Sequence, residues 1–102
     1  MELRGKGGCV SLSLGQWSDI LKRANQHGWE PLGTRIPKSK DPKWEGDYGS
    51  NDGQLVVAAD ARSMAVALER SLNCKCKIPK SLTRRRIREM VRFGLHGNFR
   101  IY

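Results

Sequence analysis

The sequence predicts a single α+β domain in which a small antiparallel or mixed sheet of about three strands is covered by three helices. Three observations support this fold class. The chain has 102 residues, which is room for one domain. Its hydrophobic content of 38% is typical of a folded chain rather than a disordered one. Segments with the period of a strand and segments with the period of a helix also follow one another along the chain, as they do when helices cover a small sheet.

The first third of the chain predicts a strand and then a helix. Hydrophobic residues alternate with serines over residues 10–14, which is the period-two pattern of a half-buried strand. Ser13 and Gln16 then have the spacing of a capping box. The apolar residues after this box recur at helical spacing: Trp17, Ile20, Leu21 and Ala24. Gly28 is placed to end the helix, which we expect over about residues 15–27.

The middle of the chain predicts extended structure, a turn and a second helix. Residues 29–36 are expected to be extended, because Pro31 and Pro37 disfavour helix. An Asn-Asp-Gly turn at 51–53 predicts a hairpin whose second strand begins at Gln54. Asp60 is placed as the N-cap of a helix over about residues 61–72. The predicted buried face of this helix consists of Ala61, Met64, Ala65, Leu68 and Leu72.

The last quarter of the chain predicts a third helix and a terminal strand. Ser81 is placed to cap a helix over about residues 82–93, and Gly94 is placed to end it. Residues 98–102 are expected to form the last strand. The apolar side of this helix carries Leu82, Ile87, Met90, Val91 and Phe93.

The net charge of +9 is concentrated in this last quarter. Residues 1–73 contain ten basic and nine acidic side chains, whereas residues 74–102 contain nine basic side chains and one acidic side chain, Glu89. At about 100° per residue, four arginines fall on one face of the third helix, namely Arg84, Arg85, Arg88 and Arg92. Arg86 falls in the apolar sector, and we expect Glu89 to pair with Arg85 four residues earlier.

The arginine face predicts a surface that binds an anionic partner. Guanidinium groups match phosphate oxygens in a bidentate way, so the nucleic acid backbone is the partner we favour. Lys75, Lys77 and Lys80 precede the helix and are expected to extend the same surface. A protein-interaction module, such as an adaptor, an inhibitor or an immunity-type protein, would use the same face to bind an acidic protein. No signature of a named nucleic-acid-binding module is present, so sequence-specific reading of bases is not indicated.

Aromatic residues bear on this choice. Exposure of Trp29, Trp44 and Tyr48 together would indicate a protein-binding hot spot, and their burial would leave the arginines as the main feature. A second basic segment also carries an aromatic residue and comprises Arg35, Lys38, Lys40, Lys43 and Trp44. Basic residues beside an aromatic side chain can bind single strands by stacking. We favour a plain loop for this segment.

The sequence argues against a metal site, a cofactor and catalysis. Five residues offer soft metal ligands, namely Cys9, Cys74, Cys76, His27 and His96, but their spacing is not that of the common zinc frameworks. His27 is better explained as a helix-end residue that complements the dipole. The acidic residues of the central loop and turn are expected to be solvated, although Asp47 and Asp52 flank Tyr48. We therefore predict a non-enzymatic protein with no cofactor.

The cysteines and the hydropathy pattern predict a cytoplasmic protein. An odd number of cysteines with one Cys-x-Cys pair is a poor disulfide framework, so all three are expected to be reduced. No apolar run has the ~20 residues of a membrane helix, and no signal-peptide pattern is visible. A membrane partner is therefore not expected, and the oligomeric state is left open.

Several short motifs are similar to those of a family of small bacterial proteins of uncharacterised function. The motifs are Gly28-Trp29-Glu30-Pro31 with Gly33-Thr34, the segment from Tyr48 to Gln54, Asp60-Ala61, and the ending Asn98-Phe99-Arg100-Ile101-Tyr102. The resemblance implies a shared fold and supplies no activity, cofactor or catalytic residue. The arginine-rich third helix departs from the family's more mixed sequence, so the nucleic-acid hypothesis is specific to this chain.

Overall fold

A computed structural model describes residues 1–35, 48–49 and 53–102 of the chain. The described residues form an α+β fold of four strands and three helices. Their order is β1 (Glu2–Gly5), β2 (Gly8–Ser11), α1 (Leu14–Gln26), β3 (Gln54–Val56), α2 (Ala58–Asn73), α3 (Arg84–Leu95) and β4 (Phe99–Ile101). The predicted fold class is confirmed, with four strands instead of about three.

The four strands form one antiparallel sheet in the order β2-β1-β4-β3. The C-terminal strand β4 therefore lies between β1 and β3, and Ile101 has Leu3 and Gln54 as its neighbours across the sheet. The sequence analysis missed β1, because Leu3 is its only clearly apolar residue and pairing on both sides, rather than alternation, builds the strand.

One prediction about the strands was wrong, and another lies partly outside the described residues. The strand expected over residues 10–14 ends at Ser11, and Leu14 is 67% exposed as the first residue of α1. The strand predicted to begin at Gln54 is present as β3, and residues 51–52 of the predicted hairpin turn lie outside the described residues. A further hairpin joins β1 and β2. The expected extended segment 29–36 makes one isolated antiparallel bridge, from Arg35 to Leu55.

The first helix follows its prediction closely. Ser13 accepts a hydrogen bond from the Gln16 amide, and the Gln16 side chain accepts one from the Ser13 amide, so the capping box is present. His27 is the C-cap of α1, and Gly28 follows with a φ of 101°. Glycine adopts this left-handed backbone without steric cost, which explains why the helix ends there.

The second helix begins three residues earlier than predicted, and Asp60 is not its N-cap. Val57 occupies that position and caps no amide with its side chain. Asp60 instead lies in the first turn, fully buried, where its carboxylate accepts hydrogen bonds from Trp29 Nε1 and from the Tyr48 hydroxyl. A carboxylate near a helix N-terminus is also favoured by the helix dipole.

The third helix is shifted by two residues from its prediction. Its N-cap is Thr83, whose Oγ1 accepts a hydrogen bond from the Arg86 amide, so Ser81 is not the cap. Gly94 lies inside the helix rather than after it. A Cβ at Gly94 would lie 2.8 Å from the Ala61 carbonyl oxygen, so this glycine permits α3 to pack closely on α2.

The helices cover one face of the sheet and enclose the hydrophobic core. The core includes Leu3, Val56, Phe99 and Ile101 from the sheet. From the helices it includes Trp17, Ile20, Met64, Leu68, Ile87 and Met90. Within the part of the chain that the structure describes, none of the helices has the length and apolarity needed to span a bilayer.

Candidate nucleic-acid interface

The predicted apolar side of α3 packs against the core. Ile87, Met90, Val91 and Phe93 are buried in the helix, and Leu82 is buried just before it. The α3 helix makes its largest contact with α2 and a smaller one with β2. Because one side of α3 is held in this way, its opposite side is fixed in orientation and faces solvent.

The four arginines of the opposite side are all exposed, as the helical spacing predicts. We call Arg84, Arg85, Arg88 and Arg92 the arginine face. Only the first of them has a hydrogen bond within the described structure, from Arg84 Nη1 to the Leu72 carbonyl oxygen at 3.1 Å. That bond places the start of the arginine face beside the end of α2.

Glu89 does not pair with the arginine face. Its Oε2 accepts a hydrogen bond from Arg86 Nη1 at 2.9 Å, and the two side chains form an ion pair. The sequence pattern predicted a pair with Arg85 instead. Arg86 is only partly exposed, because its stem lies in the apolar sector and its head turns toward Glu89. The one acid of the C-terminal quarter therefore neutralises the arginine outside the face, and Arg85 keeps its full charge.

A groove between α2 and α3 runs along the arginine face. It has a volume of about 590 Å³, and Arg84, Arg88 and Arg92 line it from the α3 side. These residues are spaced at i, i+4 and i+8, so they repeat at about 6 Å along the helix axis. Glu69 and Asn73 line the opposite wall from α2. Glu69 forms no ion pair with these arginines in the described structure.

The first turn of α3 carries arginines at the end of the helix where the helix dipole is also positive. Arg84, Arg85 and Arg86 form the first turn, which contains no acidic residue. The aligned peptide dipoles place a partial positive charge at the same end, so these cations lower the stability of the helix. An anion bound there would interact favourably with both the arginines and the dipole.

The three lysines lie in the linker between α2 and α3, and all three are exposed: Lys75, Lys77 and Lys80. The linker is held on the fold from both ends. Arg23 Nη1 donates to the Lys77 carbonyl oxygen at 3.5 Å, and Gln16 Nε2 donates to the Ser81 carbonyl oxygen at 3.2 Å. The lysines therefore precede the arginine face on a linker that hydrogen bonds hold against the rest of the fold.

Arg23 was missed by the sequence analysis because it lies beside the apolar stripe of α1 and has no acidic partner. It is 5% exposed, and its guanidinium donates to Ser71 Oγ and to the Ser71 carbonyl oxygen, both at 2.8 Å. Burial lowers the pKa of the Arg23 guanidinium, and the charge of Arg84 lowers it further. The carbonyls at the C-terminal end of α2 supply the negative end of a dipole to this cation.

The aromatic residues form a buried network rather than an exposed hot spot. Trp29 is 3% exposed and contacts Tyr48 edge to face, with ring centroids 5.2 Å apart. Tyr48 donates to Asp60 and accepts from the Gly33 amide at 2.9 Å. Burial and the Asp60 carboxylate raise the pKa of Tyr48 well above its ordinary value. Two of the three aromatic side chains thus stabilise the fold, and Trp44 lies outside the described residues.

Other predicted residues also lie outside the described residues. Of the second basic segment only Arg35 is described, and it is exposed, whereas Lys38, Lys40, Lys43 and Trp44 are not described. The acidic pair Asp47 and Asp52 is outside as well.

The cysteines differ from their prediction. Cys74 and Cys76 form a disulfide with Cα atoms 5.2 Å apart, and Cys9 is free and exposed on β2. The sequence analysis expected three reduced thiols, because cysteines two apart in an extended chain seldom meet. Here the chain leaves α2 at Cys74 and bends, so the Cα separation falls within the range that disulfides require.

The disulfide lies beside His27. One ligand atom from each of His27, Cys74 and Cys76 lies within 4.8 Å of the others. The spacing of these residues along the chain does not indicate the cluster, because His27 is far from both cysteines in the sequence. His27 and Cys74 come together because each caps the C-terminal end of a helix, α1 and α2 respectively.

No family model, curated protein sequence or solved structure matches this chain.

Proposed function

We propose that this protein is a non-enzymatic binding protein that engages the phosphate backbone of nucleic acid through the arginine face of α3. The observation that carries the proposal is the exposure of four aligned arginines that form no ion pair among the described residues. Glu89 pairs with Arg86, and Glu69 lines the facing wall of the groove without an ion pair to them. A face of this kind neutralises several phosphates at once and releases their counterions, which drives association.

The geometry of the groove supports backbone contacts rather than reading of bases. Arg84, Arg88 and Arg92 form one row along the helix, and Arg85 extends it sideways at the first turn. The consecutive phosphates of one strand are also spaced at several ångströms, so a row of guanidinium groups can contact more than one of them. Lys75, Lys77 and Lys80 add exposed cations in the linker that precedes this row.

The burial of Trp29 favours nucleic acid over an acidic protein surface. Protein interfaces place aromatic anchors at their centre. Trp29 and Tyr48, which would be such anchors if exposed, instead pack against each other within the fold. Arginine-to-phosphate contacts need no such anchor. We also propose a cytoplasmic location, where such a partner is present. This rests on the hydropathy pattern of the sequence, because the Cys74–Cys76 disulfide removes the argument from reduced cysteines.

Replacement of the arginine face tests the proposal. The variant Arg84→Gln, Arg85→Gln, Arg88→Gln and Arg92→Gln lowers the net charge from +9 to +5. Because these side chains are exposed, we expect the fold to be retained. Binding to a labelled duplex or single strand, measured by fluorescence anisotropy at low salt, should weaken on the order of 100-fold.

A charge-matched variant separates the arginine face from net charge alone. Replacing Lys6, Lys22, Arg35 and Arg62 with Gln removes four exposed cations outside α3 and gives the same net charge of +5. This variant should bind within a few-fold of the parent. Equal losses in the two variants would show that only overall charge matters. An absence of binding by the parent at low salt would contradict the proposal and direct the search to acidic protein partners.

A further inference from the structure

The cluster of His27, Cys74 and Cys76 has the chemistry of a soft metal site. It contains one imidazole and two cysteine sulfurs, with one ligand atom from each within 4.8 Å of the others. Nitrogen and sulfur donors are those that zinc prefers in proteins. The imidazole comes from the end of α1 and the sulfurs from the end of α2, so a bound ion would join two helices.

The distances fit zinc after a small change in the side chains. Zinc binds thiolates at about 2.3 Å and imidazoles at about 2.0–2.1 Å, so its ligand atoms lie ~3.5–4 Å from one another. The three donors already lie within 4.8 Å. Reduction of the disulfide frees both sulfurs to rotate about their Cα–Cβ bonds, and the proposal requires that this rotation bring them to the separation of zinc ligands.

The disulfide is the oxidised, closed form of this site. Its reduction breaks the bond between the sulfurs of Cys74 and Cys76 and requires two electrons and two protons. A phosphine reductant supplies the electrons: phosphine, disulfide and water give phosphine oxide and two thiols. Binding of the ion then releases both thiol protons.

The surroundings leave one coordination position open to solvent. Lys75 and Lys77, the neighbours of Cys76 in the sequence, are both exposed. Two thiolates, a neutral imidazole and Zn²⁺ sum to zero charge. Cys76 is exposed, whereas His27 and Cys74 are half-buried, so solvent can enter on the Cys76 side and complete a tetrahedral site with water.

We propose that the reduced protein binds one Zn²⁺ ion through His27, Cys74 and Cys76, with water as the fourth ligand, and that the disulfide excludes it. The site is independent of the arginine face. The quadruple arginine variant should therefore retain it, and failure of one proposal leaves the other unaffected.

Cobalt titration of the reduced full-length chain, carried out without oxygen, tests the site. We expect one equivalent of Co²⁺ to produce a thiolate-to-cobalt charge-transfer band and the intense visible bands of tetrahedral cobalt. One equivalent of Zn²⁺ should abolish both. The oxidised protein, in which the Cys74–Cys76 disulfide is intact, is the control and should give no charge-transfer band.

Matched variants locate the site. Cys74→Ser and Cys76→Ser should each remove most of the charge-transfer band, and His27→Asn should weaken Co²⁺ binding more than ~10-fold because one of three protein ligands is lost. Cys9→Ser and His96→Asn are the controls, because both residues line a separate groove of about 290 Å³ with Glu89. They should leave binding unchanged.

Three results would overturn the proposal. The first is no band at one equivalent in the reduced parent, and the second is equal binding by reduced and oxidised protein. The third is loss of binding in Cys9→Ser or His96→Asn, which would move the metal to the other groove. Circular dichroism of each serine variant without metal checks that it is folded, and the comparison of oxidised with reduced parent requires no variant.

Discussion

Arg23 shows how single residues support the candidate interface from within the fold. Its guanidinium is buried without a carboxylate partner among the described residues, and it relies on oxygen atoms of Ser71 and Lys77. These contacts tie α1 to the end of α2 and to the linker that carries the lysines. A buried charge held only by neutral acceptors depends strongly on each of its hydrogen bonds.

Arg23→Ala is expected to destabilise the protein by about 2–4 kcal/mol, because it leaves the Ser71 and Lys77 carbonyls without their donor and opens a cavity. Urea denaturation followed by circular dichroism measures this change. Lys22→Ala is the control, since Lys22 is the exposed neighbour on the same helix and should change stability by less than about 0.5 kcal/mol. Equal effects of the two substitutions would contradict the described role of Arg23.

Tyr48 makes stability depend on pH in the alkaline range. Burial and the Asp60 carboxylate raise the pKa of the folded tyrosine above its ordinary value of 10.0. Below pH 10 the hydroxyl is protonated in both the folded and the unfolded chain, so this contribution is fully present. Above pH 10 the unfolded chain loses the proton first, and stability falls as the pH rises.

The urea midpoint of the parent should therefore decline more steeply between pH 9 and pH 11 than that of Tyr48→Phe, which has no proton to lose at this position. Tyr48→Phe should also be less stable at pH 7, because Asp60 and the Gly33 amide lose their partner. Tyr102→Phe, at an exposed tyrosine, should keep the decline of the parent. Parallel curves for the parent and Tyr48→Phe would disprove the effect.

At the scale of elements, the close contact between α2 and α3 sets the direction of the arginine face. Gly94 permits this contact, because a Cβ there would lie 2.8 Å from the Ala61 carbonyl oxygen and 3.0 Å from the Ala65 Cβ. The sequence pattern predicts that Gly94 follows the helix, since a glycine near the end of an apolar pattern usually ends a helix. Gly97, with a φ of 108°, follows the helix instead.

Gly94→Ala should destabilise the protein by about 1–3 kcal/mol through overpacking, although alanine is the better helix former by about 1 kcal/mol. Gly15→Ala is the matched control in α1, where the nearest atom to an added Cβ is 3.9 Å away. It should be neutral or stabilising. Thermal unfolding of both variants measures the contrast, and a stabilised Gly94→Ala would show that the helices are further apart than described.

Helices were easier to predict than strands, for a physical reason. Helical periodicity and the Ser13–Gln16 capping box are local, so α1 and the buried faces of α2 and α3 could be read from neighbouring residues. The strand β1 is stabilised by β2 and by β4, whose residues lie at opposite ends of the chain. Such pairing leaves no local pattern, and the same holds for the cluster of His27 with Cys74 and Cys76.

At the scale of the whole molecule, the excess positive charge is concentrated in one part of the chain. The first 73 residues are nearly neutral and contain most of the buried polar network, whereas the last 29 residues carry the excess of positive charge. The arginine face could be predicted because helical spacing alone decides which side chains share a side. The pairing of Glu89 could not be predicted, because both Arg85 and Arg86 are within its reach along the sequence, and only the packed helix selects Arg86.

The salt dependence of binding tests the central claim most directly. For a duplex, the slope of log K against log salt concentration is about −0.9 for each phosphate neutralised. If all four arginines of the face contact phosphates, the quadruple glutamine variant should have a slope shallower than that of the parent by about 3–4, and the charge-matched variant should keep the parent slope. Identical slopes for the parent and the quadruple variant would show that α3 does not contact the backbone.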